Sequence, residues 1–306
     1  MTDDVAAPAE QTYNDAYFTV RDGLRLHYRD YPGGRAGLPP LLCLHGLTRN
    51  VRDFAELAER YAPRFRVIEL DFRGRGDSDY DPLPARYTPL TYAGDVLELL
   101  NQLAIPEAIF VGTSLGGLTT MILSTMAPQR IAAAILNDVG PEIGDVGIDR
   151  ILAYLGRDVR FRDWDEAADA IAVNQGPSFP DYGREDWRAM ARRSCRERDG
   201  EVVFDYDMAI AEPFKAAGPV PKVDMWPFFE ALAQKPLLAV RGEISVLLTA
   251  ETFERMREVA PQARFVTVPG IGHAPELNEP AALEAIDAFL NELPAPLNRS
   301  SQSQAG

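Results

Sequence analysis

The fold of this chain is decided by the stretch Ala108-Ile109-Phe110-Val111-Gly112-Thr113-Ser114-Leu115-Gly116-Gly117-Leu118. It begins as an apolar run short enough for a buried strand, and residues 118–126 are typical of a helix. The Gly-x-Ser-x-Gly pattern between them predicts a tight turn that exposes Ser114, with glycine where a side chain would obstruct the backbone. The N–H of Leu115 would lie at the positive end of the helix, where an oxyanion is stabilised. The competing interpretation is a glycine-rich turn in another kind of α/β protein.

Short apolar runs recur along the chain and alternate with helical patterns. The other predicted strands cover residues 17–20, 24–31, 41–44, 65–70, 131–136, 235–242 and 264–268, and the predicted helices between them cover residues 53–61, 90–103, 251–259 and 280–290. This alternation predicts βαβ units and a mostly parallel sheet. Functional groups of such sheets gather at the carboxyl ends of the strands, and His45, Asp71, Ser114 and Asp138 each follow a predicted strand.

The alternation stops between residues 141 and 225. That stretch contains helical patterns over residues 147–155, 164–174 and 185–198 and no apolar run typical of a buried strand. We therefore expect one sheet domain, residues 13–140 and 226–293, with a helical lid over residues 141–225. The polar ends of the chain, residues 1–12 and 294–306, are expected to be disordered.

Composition and charge narrow the classes of function. The 306 residues include 31 basic and 46 acidic side chains, a formal charge of −15, which argues against nucleic acid or an anionic membrane as partner. The acidic start lacks the basic region of a signal peptide, so we expect a cytoplasmic protein with a small-molecule substrate. Cys43 and Cys195 favour free thiols, and without a histidine pair or a cysteine cluster we predict no metal and no cofactor. No feature of the sequence indicates an oligomeric state.

With these elements placed, the chain resembles the α/β-hydrolase superfamily, and in particular its lidded serine hydrolases. The resemblance covers nearly all of residues 17–292, and it is carried by His45-Gly46-Leu47, by residues 71–78 and 112–117, by Arg241-Gly242-Glu243-Ile244-Ser245 and by residues 272–280. It implies a mostly parallel eight-stranded sheet flanked by helices, with a helical lid after the sixth strand. It also implies an enzyme that cleaves carboxylic esters; lactonase, carbon–carbon hydrolase and perhydrolase activities use the same machinery.

The resemblance and the residues together assign the catalytic roles. Ser114 is a weak nucleophile until a base takes its proton, and His273 is the favoured base because it ends a glycine-rich loop after the last strand. His45 is the competitor, but its place beside Gly46 in the oxyanion loop favours a structural hydrogen bond. The N–H groups of Leu47 and Leu115 are expected to form the oxyanion hole.

The acid of the expected triad is missing from its usual place. The family normally has an aspartate within a residue or two of Ser245, and close relatives have it directly after that serine, where this chain has Val246. Three interpretations remain open: Asp138 is the acid, as in some branches of this fold; Glu243 reaches the histidine; or the triad is incomplete. We favour Asp138, with Glu243 as the second choice. An incomplete triad would make the chain a catalytically weak or inactive ligand-binding protein on the same fold.

Two further expectations concern charged residues near the predicted site. Arg73 and Arg75 alternate with glycines in the loop after Asp71, and we expect them to brace the floor of the site through hydrogen bonds to carboxylates. His27 is expected to be an ordinary strand residue.

Overall fold

The computed structural model describes residues 12–34, 37–216 and 223–293, so the predicted disordered tails lie outside the described residues except for residue 12. In chain order the strands are β1 (Asn14–Thr19), β2 (Arg25–Tyr31), β3 (Leu41–Leu44), β4 (Val67–Leu70), β5 (Ala108–Thr113), β6 (Ile131–Asn137), β7 (Arg160–Phe161), β8 (Cys195–Arg198), β9 (Glu201–Phe204), β10 (Leu237–Gly242) and β11 (Arg264–Val268). The helices are α1 (Ala55–Tyr61), α2 (Pro89–Gln102), α3 (Leu115–Met126), α4 (Asp145–Tyr154), α5 (Trp164–Gln175), α6 (Arg184–Ser194), α7 (Glu212–Ala216), α8 (Trp226–Leu232), α9 (Ala250–Val259) and α10 (Pro280–Glu292). No helix within these described ranges combines the length and apolar character that crossing a bilayer requires.

Eight of the strands form one sheet, in the spatial order β1-β2-β4-β3-β5-β6-β10-β11. The pairs β1/β2 and β2/β4 are antiparallel and the other pairs are parallel, which confirms the predicted architecture. Strand β5 lies in the middle, and its residue Gly112 pairs with Leu44 on β3 and with Leu136 on β6. Because these three strands are parallel, the residues that follow them meet at one edge of the sheet.

Alternate residues of the central strands pack into two separate cores, one on each face of the sheet. On β5, Phe110 joins a core that includes Met121 of α3, whereas Ile109 and Val111 join a core that includes Ile286 of α10. Burial on both faces explains why these strands are continuous apolar runs. The free thiol of Cys43 lies in the second core, as expected for a buried unpaired cysteine.

The insert, defined as residues 141–225 after β6, is not purely helical. It contains α4 to α7 and a three-stranded antiparallel sheet in the order β7-β9-β8. The predicted helix over residues 185–198 is wrong in its last part, because α6 ends at Ser194 and the chain continues as β8. The turn to β9 is made by Asp199 and Gly200, which both have positive φ, 55° and 83°. An Asp-Gly pair between two short strands is a hairpin signal, and here it outweighs the helical pattern.

Candidate active site

Ser114 lies in the turn between β5 and α3 with φ 51° and ψ −112°, a conformation that non-glycine residues rarely adopt. The turn needs glycine on both sides. A Cβ on Gly116 would lie 2.0 Å from the Leu44 carbonyl oxygen, and one on Gly112 would lie 2.6 Å from the backbone of Gly116. The Ser114 N–H donates to the Asn137 carbonyl at 3.0 Å, which ties the turn to the neighbouring strand β6. The strained turn predicted from the sequence is therefore present.

The structure brings Ser114, His273 and Asp138 together. Nε2 of His273 lies 3.0 Å from Ser114 Oγ, and its Nδ1 lies 2.7 Å from Asp138 Oδ2. An ionised carboxylate only accepts hydrogen bonds, so Nδ1–H donates to Asp138 and the lone pair on Nε2 faces the serine hydroxyl. This arrangement can take a proton from Ser114.

The Asp138 carboxylate is held by donors on both oxygens. Asp138 follows β6, is fully buried and has a φ of 53°. The Gly242 N–H donates to its Oδ1 at 2.8 Å, and the Ser245 hydroxyl donates to its Oδ2 at 2.6 Å. These contacts fix the carboxylate beside His273. Ser245 entered the sequence argument only as a landmark for the absent acid, so its contact with Asp138 was missed.

The other candidate acid, Glu243, has a different contact. It is exposed and accepts a hydrogen bond from the Gly270 N–H at 2.8 Å, which braces the loop that leads to His273. The backbone of Val246 lies against the start of the insert, where a Cβ on Gly144 would lie 2.3 Å from the Val246 carbonyl oxygen. His273 therefore contacts Asp138 and not Glu243.

His45 is part of the scaffold of the loop that contains Gly46 and Leu47. Its Nε2 accepts from the Phe72 N–H at 3.1 Å, so its Nδ1–H donates to the Gly46 carbonyl at 2.7 Å. Burial lowers the pKa of His45 to about 4, which keeps the ring neutral. Arg75 Nε donates to the Leu47 carbonyl at 2.9 Å on the same loop. The N–H of Leu47 therefore belongs to a loop that is held at two places.

The two arginines of the loop after Asp71 differ in their partners. Arg73 donates hydrogen bonds to two buried carboxylates: its Nη1 lies 2.6 Å from Asp81 and its Nε lies 2.8 Å from Asp95. Arg75 donates to the Tyr92 hydroxyl at 2.9 Å and to backbone carbonyls. The expectation of carboxylate partners is confirmed for Arg73 and is wrong for Arg75, because the oxygens facing Arg75 are those of a phenol and of the main chain.

His27 is more than an ordinary strand residue. Its Nδ1 lies 2.7 Å from Asp71 Oδ2 and its Nε2 lies 2.9 Å from Asp15 Oδ1. Burial lowers the pKa of His27, but the hydrogen bonds to Asp71 and Asp15 and the charges of Asp71 and Asp77 together outweigh it and raise the pKa above its ordinary value. His27, Asp71 and Asp77 are close enough to surround a cation. Because carboxylates occupy both ring nitrogens, this group fits a buried ion pair better than a metal site.

The loop of His273 is held by the strand beside it and by the insert. The Asn137 side-chain N–H donates to the Pro275 carbonyl at 2.7 Å. The Gly272 N–H donates to the Ser178 carbonyl of the insert at 2.6 Å. The insert therefore contacts the residue directly before His273.

A cavity of about 270 Å³ opens at Ser114 and His273 and extends beneath the insert. Its apolar wall comes mainly from the insert and includes Ile151, Val159, Phe161, Ile171, Phe179, Met190 and Phe204. Its charged wall includes Arg49, Asp53, Arg157, Arg193 and Glu276. Arg49 Nε donates to Asp53 at 2.7 Å, and Arg193 pairs with Glu276, whose pKa is raised by burial. No local pattern in the sequence pointed to these charged residues, except that the four-residue spacing of Arg49 and Asp53 hints at a pair.

Comparison with known proteins places the chain among hydrolases. A family model described as "Alpha/beta hydrolase family" matches residues 41–286. The 3-hydroxybutyrate-oligomer hydrolase of Cupriavidus necator is 34% identical, over 87% of this chain and 92% of that protein. The 2-(acetamidomethylene)succinate hydrolase of Mesorhizobium japonicum is 28% identical, over 83% of this chain and 88% of that protein. The crystal structure of an alpha/beta hydrolase from Novosphingobium aromaticivorans is similar with a TM-score of 0.88 and 48% identity, over 92% of this chain and 99% of that one.

Proposed function

The chain belongs to the alpha/beta hydrolase family, and on that premise we propose that it cleaves a carboxylic ester through an acyl-enzyme intermediate on Ser114. One observation carries this proposal. The two nitrogens of His273 face the Ser114 hydroxyl at 3.0 Å and the Asp138 carboxylate at 2.7 Å. The same ring can therefore accept the serine proton and have its positive charge stabilised.

Acylation begins when Ser114 Oγ attacks the ester carbonyl carbon while His273 Nε2 takes the hydroxyl proton. The carbonyl oxygen becomes an oxyanion, which the N–H groups of Leu47 and Leu115 stabilise. Leu115 is suited to this role because it is the first residue of α3, where backbone N–H groups have no partner within the helix. The tetrahedral intermediate then collapses, and His273 gives its proton to the departing alkoxide. An alcohol leaves, and the acyl group stays on Ser114.

Deacylation repeats these steps with water. His273 takes a proton from a water molecule that attacks the acyl carbonyl, and the same two N–H groups stabilise the second oxyanion. Collapse of this intermediate returns the proton to Ser114 Oγ and releases the carboxylic acid. Asp138 stays ionised throughout and orients the ring by accepting from Nδ1–H.

The alternative of a catalytically weak binding protein rested on Val246. The contacts of Asp138 weaken that alternative, since a buried carboxylate lies against His273 although position 246 offers none. The hydrolase names of the relatives also favour an enzyme.

The substrate class follows from the relatives and the cavity. The Cupriavidus necator relative is named for 3-hydroxybutyrate oligomers, and oligomers of a hydroxy acid are joined by ester bonds. We therefore take short esters of this kind as the first substrates to test. A cavity of about 270 Å³ with a largely apolar wall suits a small acyl chain better than a long one.

The test is whether Ser114 becomes acylated. We expect the protein to be labelled by a fluorophosphonate probe and to give a burst of p-nitrophenol with p-nitrophenyl butyrate. Ser114→Ala removes both signals because no other group can carry the acyl intermediate. The matched control is Ser124→Ala, which removes a hydroxyl of α3 that donates to the Met121 carbonyl at 2.7 Å. The control keeps both signals. A burst that survives Ser114→Ala, or wild-type protein that hydrolyses no ester, would overturn the proposal.

A further inference from the structure

The cavity beside Ser114 carries a charge opposite in sign to that of the chain. Its lining contains three arginines, Arg49, Arg157 and Arg193, and two carboxylates, Asp53 and Glu276. With His273 neutral, three positive charges minus two negative charges leave a formal charge of +1. The whole chain has a formal charge of −15. A positively charged cavity in an acidic protein indicates selection for a negatively charged group.

The excess positive charge belongs to Arg157. Arg49 and Arg193 are paired with Asp53 and Glu276, so their charges are compensated within the wall. Arg157 is exposed, lines the cavity and has no ion-pair partner among the residues that the structure describes.

Several exposed arginines of the insert have acidic partners: Arg160 with Glu201 at 3.0 Å, Arg162 with Glu166 at 3.1 Å and Arg184 with Asp165 at 3.2 Å. Arg150, Arg192 and Arg198 are exposed and have no ion pair among the described residues, but unlike Arg157 they do not line the cavity. Although acidic side chains are abundant in this chain, none forms an ion pair with Arg157 among the described residues. The Arg157 guanidinium at the cavity is therefore available to an anionic ligand.

Arg157 is also connected to the catalytic side of the cavity. It follows α4, and its N–H donates to the Tyr154 carbonyl at 3.4 Å. The Tyr154 hydroxyl lies close to the side chain of Thr48, the residue after Leu47 in the oxyanion loop. Thr48 and Tyr154 line the same cavity, so they link the arginine to the loop that would hold the oxyanion.

We propose that the substrate carries a carboxylate and that the Arg157 guanidinium binds it while the ester lies at Ser114. This inference rests on the proposed esterase function and adds the charge of the substrate to it. The planar guanidinium can donate two parallel hydrogen bonds to one carboxylate. Because Arg157 is exposed, little desolvation opposes its contact with the substrate carboxylate. The contact positions the substrate but takes no part in making or breaking the ester bond. Arg157 is then a specificity-determining residue.

The experiment compares esters that differ only in a charge. One pair, mono-p-nitrophenyl adipate and p-nitrophenyl hexanoate, places the carboxylate in the acyl part. The other pair, 3-acetoxybutanoate and 3-acetoxybutanamide, places it in the alcohol part. In at least one pair we expect kcat/KM to be about tenfold higher for the anionic ester, mainly through a lower KM, as expected for a hydrogen bond to a charged group. Added salt should reduce the preference because Arg157 is exposed.

Two variants assign the preference to one side chain. Arg157→Gln removes the preference for the anionic ester and leaves hydrolysis of the neutral esters within about twofold of wild type. The matched control is Arg150→Gln, an exposed arginine of α4 that is not part of the cavity lining, and it keeps the preference.

The possible outcomes separate the two proposals. Neutral esters that are hydrolysed at Ser114 without any preference for the anionic partner would overturn the role of Arg157 and leave the esterase proposal standing. A preference for the anionic ester that persists in Arg157→Gln would also overturn the role of Arg157 and leave the esterase proposal standing. A wild-type protein that hydrolyses none of the four esters would overturn the esterase proposal itself, and the role of Arg157 with it.

Discussion

Two histidine–aspartate pairs in this molecule have the same inner contact and different surroundings. In both, Nδ1 of the histidine lies 2.7 Å from an aspartate Oδ2, in His273 with Asp138 and in His27 with Asp71. The opposite ring nitrogen differs. Nε2 of His273 faces the Ser114 hydroxyl, whereas Nε2 of His27 faces a second carboxylate, that of Asp15. The His273 side chain is 23% exposed and that of His27 is 1% exposed.

An aspartate on Nδ1 therefore does not by itself make a histidine a base. A second carboxylate on Nε2 stabilises the protonated ring, as the raised pKa of His27 indicates, so this ring does not accept a further proton. A hydroxyl on Nε2 leaves a lone pair that can take a proton and later release it. The exposure of His273 to the cavity also gives substrate and water access to the ring.

The largest expected effect comes from removing the ring that faces the hydroxyl. His273→Ala should lower kcat for p-nitrophenyl butyrate by about 10⁴-fold or more, because Ser114 then has no base. The melting temperature should change little, since the side chain is partly exposed. Steady-state kinetics and a thermal melt measure the two quantities. A kcat within tenfold of wild type would contradict the role of His273 as the base and with it the distinction between the two pairs.

The second prediction concerns the buried pair. His27→Gln should lower the free energy of unfolding by about 3 kcal/mol, because Asp71 loses a charged partner in the interior. It should leave kcat within about threefold of wild type, since the contacts of His27 are with Asp71 and Asp15 and not with Ser114. Urea denaturation and steady-state kinetics measure the two quantities. A large loss of kcat in a variant of unchanged stability would contradict the distinction between the two pairs.

The pH dependence of the free energy of unfolding of His27→Gln gives a further test of this prediction. The folded-state pKa of His27 is raised above the ordinary value of about 6.5, so its stabilising contribution is fully present below that pH and is lost as pH rises through the folded-state value. The stability difference between wild type and His27→Gln should therefore be larger at about pH 6 than at about pH 9. Urea denaturation at both pH values checks it, and a difference that grows with pH would contradict the assigned charge.

A smaller effect on kcat should follow when the Asp138 carboxylate is kept but loses one of its hydrogen-bond donors. Ser245→Ala deletes the hydroxyl that donates to Asp138 Oδ2 at 2.6 Å and leaves the Gly242 N–H on Oδ1. We expect kcat to fall by about tenfold, the size of one hydrogen bond to a charged group. Unchanged kcat would mean that Ser245 does not position the carboxylate.

The sheet and the serine turn could be predicted from the sequence because each depends on a local pattern. Continuous apolar runs predict strands buried on both faces, and the Gly-x-Ser-x-Gly spacing predicts the turn, although the close approach at Gly116 is to the Leu44 carbonyl of the neighbouring strand β3. The hairpin at Asp199 and Gly200 carries the same Asp-Gly pair as residues 22–23, which lie between the predicted strands 17–20 and 24–31. A helical pattern over residues 185–198 masked that signal, so the small sheet of the insert was missed.

The contacts of the site could be predicted only in part, because they join residues that are distant in sequence. The place of Asp138 at the end of a central strand made it a candidate, but the choice between it and Glu243 depended on how the loop after β10 packs. The pairing of Arg193 with Glu276 and the place of Arg157 in the cavity depend on how the insert lies over the sheet. No local pattern encodes that arrangement.

The most direct test of the central claim is the kcat of Asp138→Asn, measured beside Glu243→Gln and Val246→Asp. The amide keeps the size of the side chain but removes the charge that stabilises protonated His273, so kcat should fall by about 10³–10⁴-fold with the fold intact. Glu243→Gln should stay within about threefold of wild type, and Val246→Asp should bring no large gain. Unchanged kcat in Asp138→Asn, together with a large loss in Glu243→Gln or a large gain in Val246→Asp, would contradict the account.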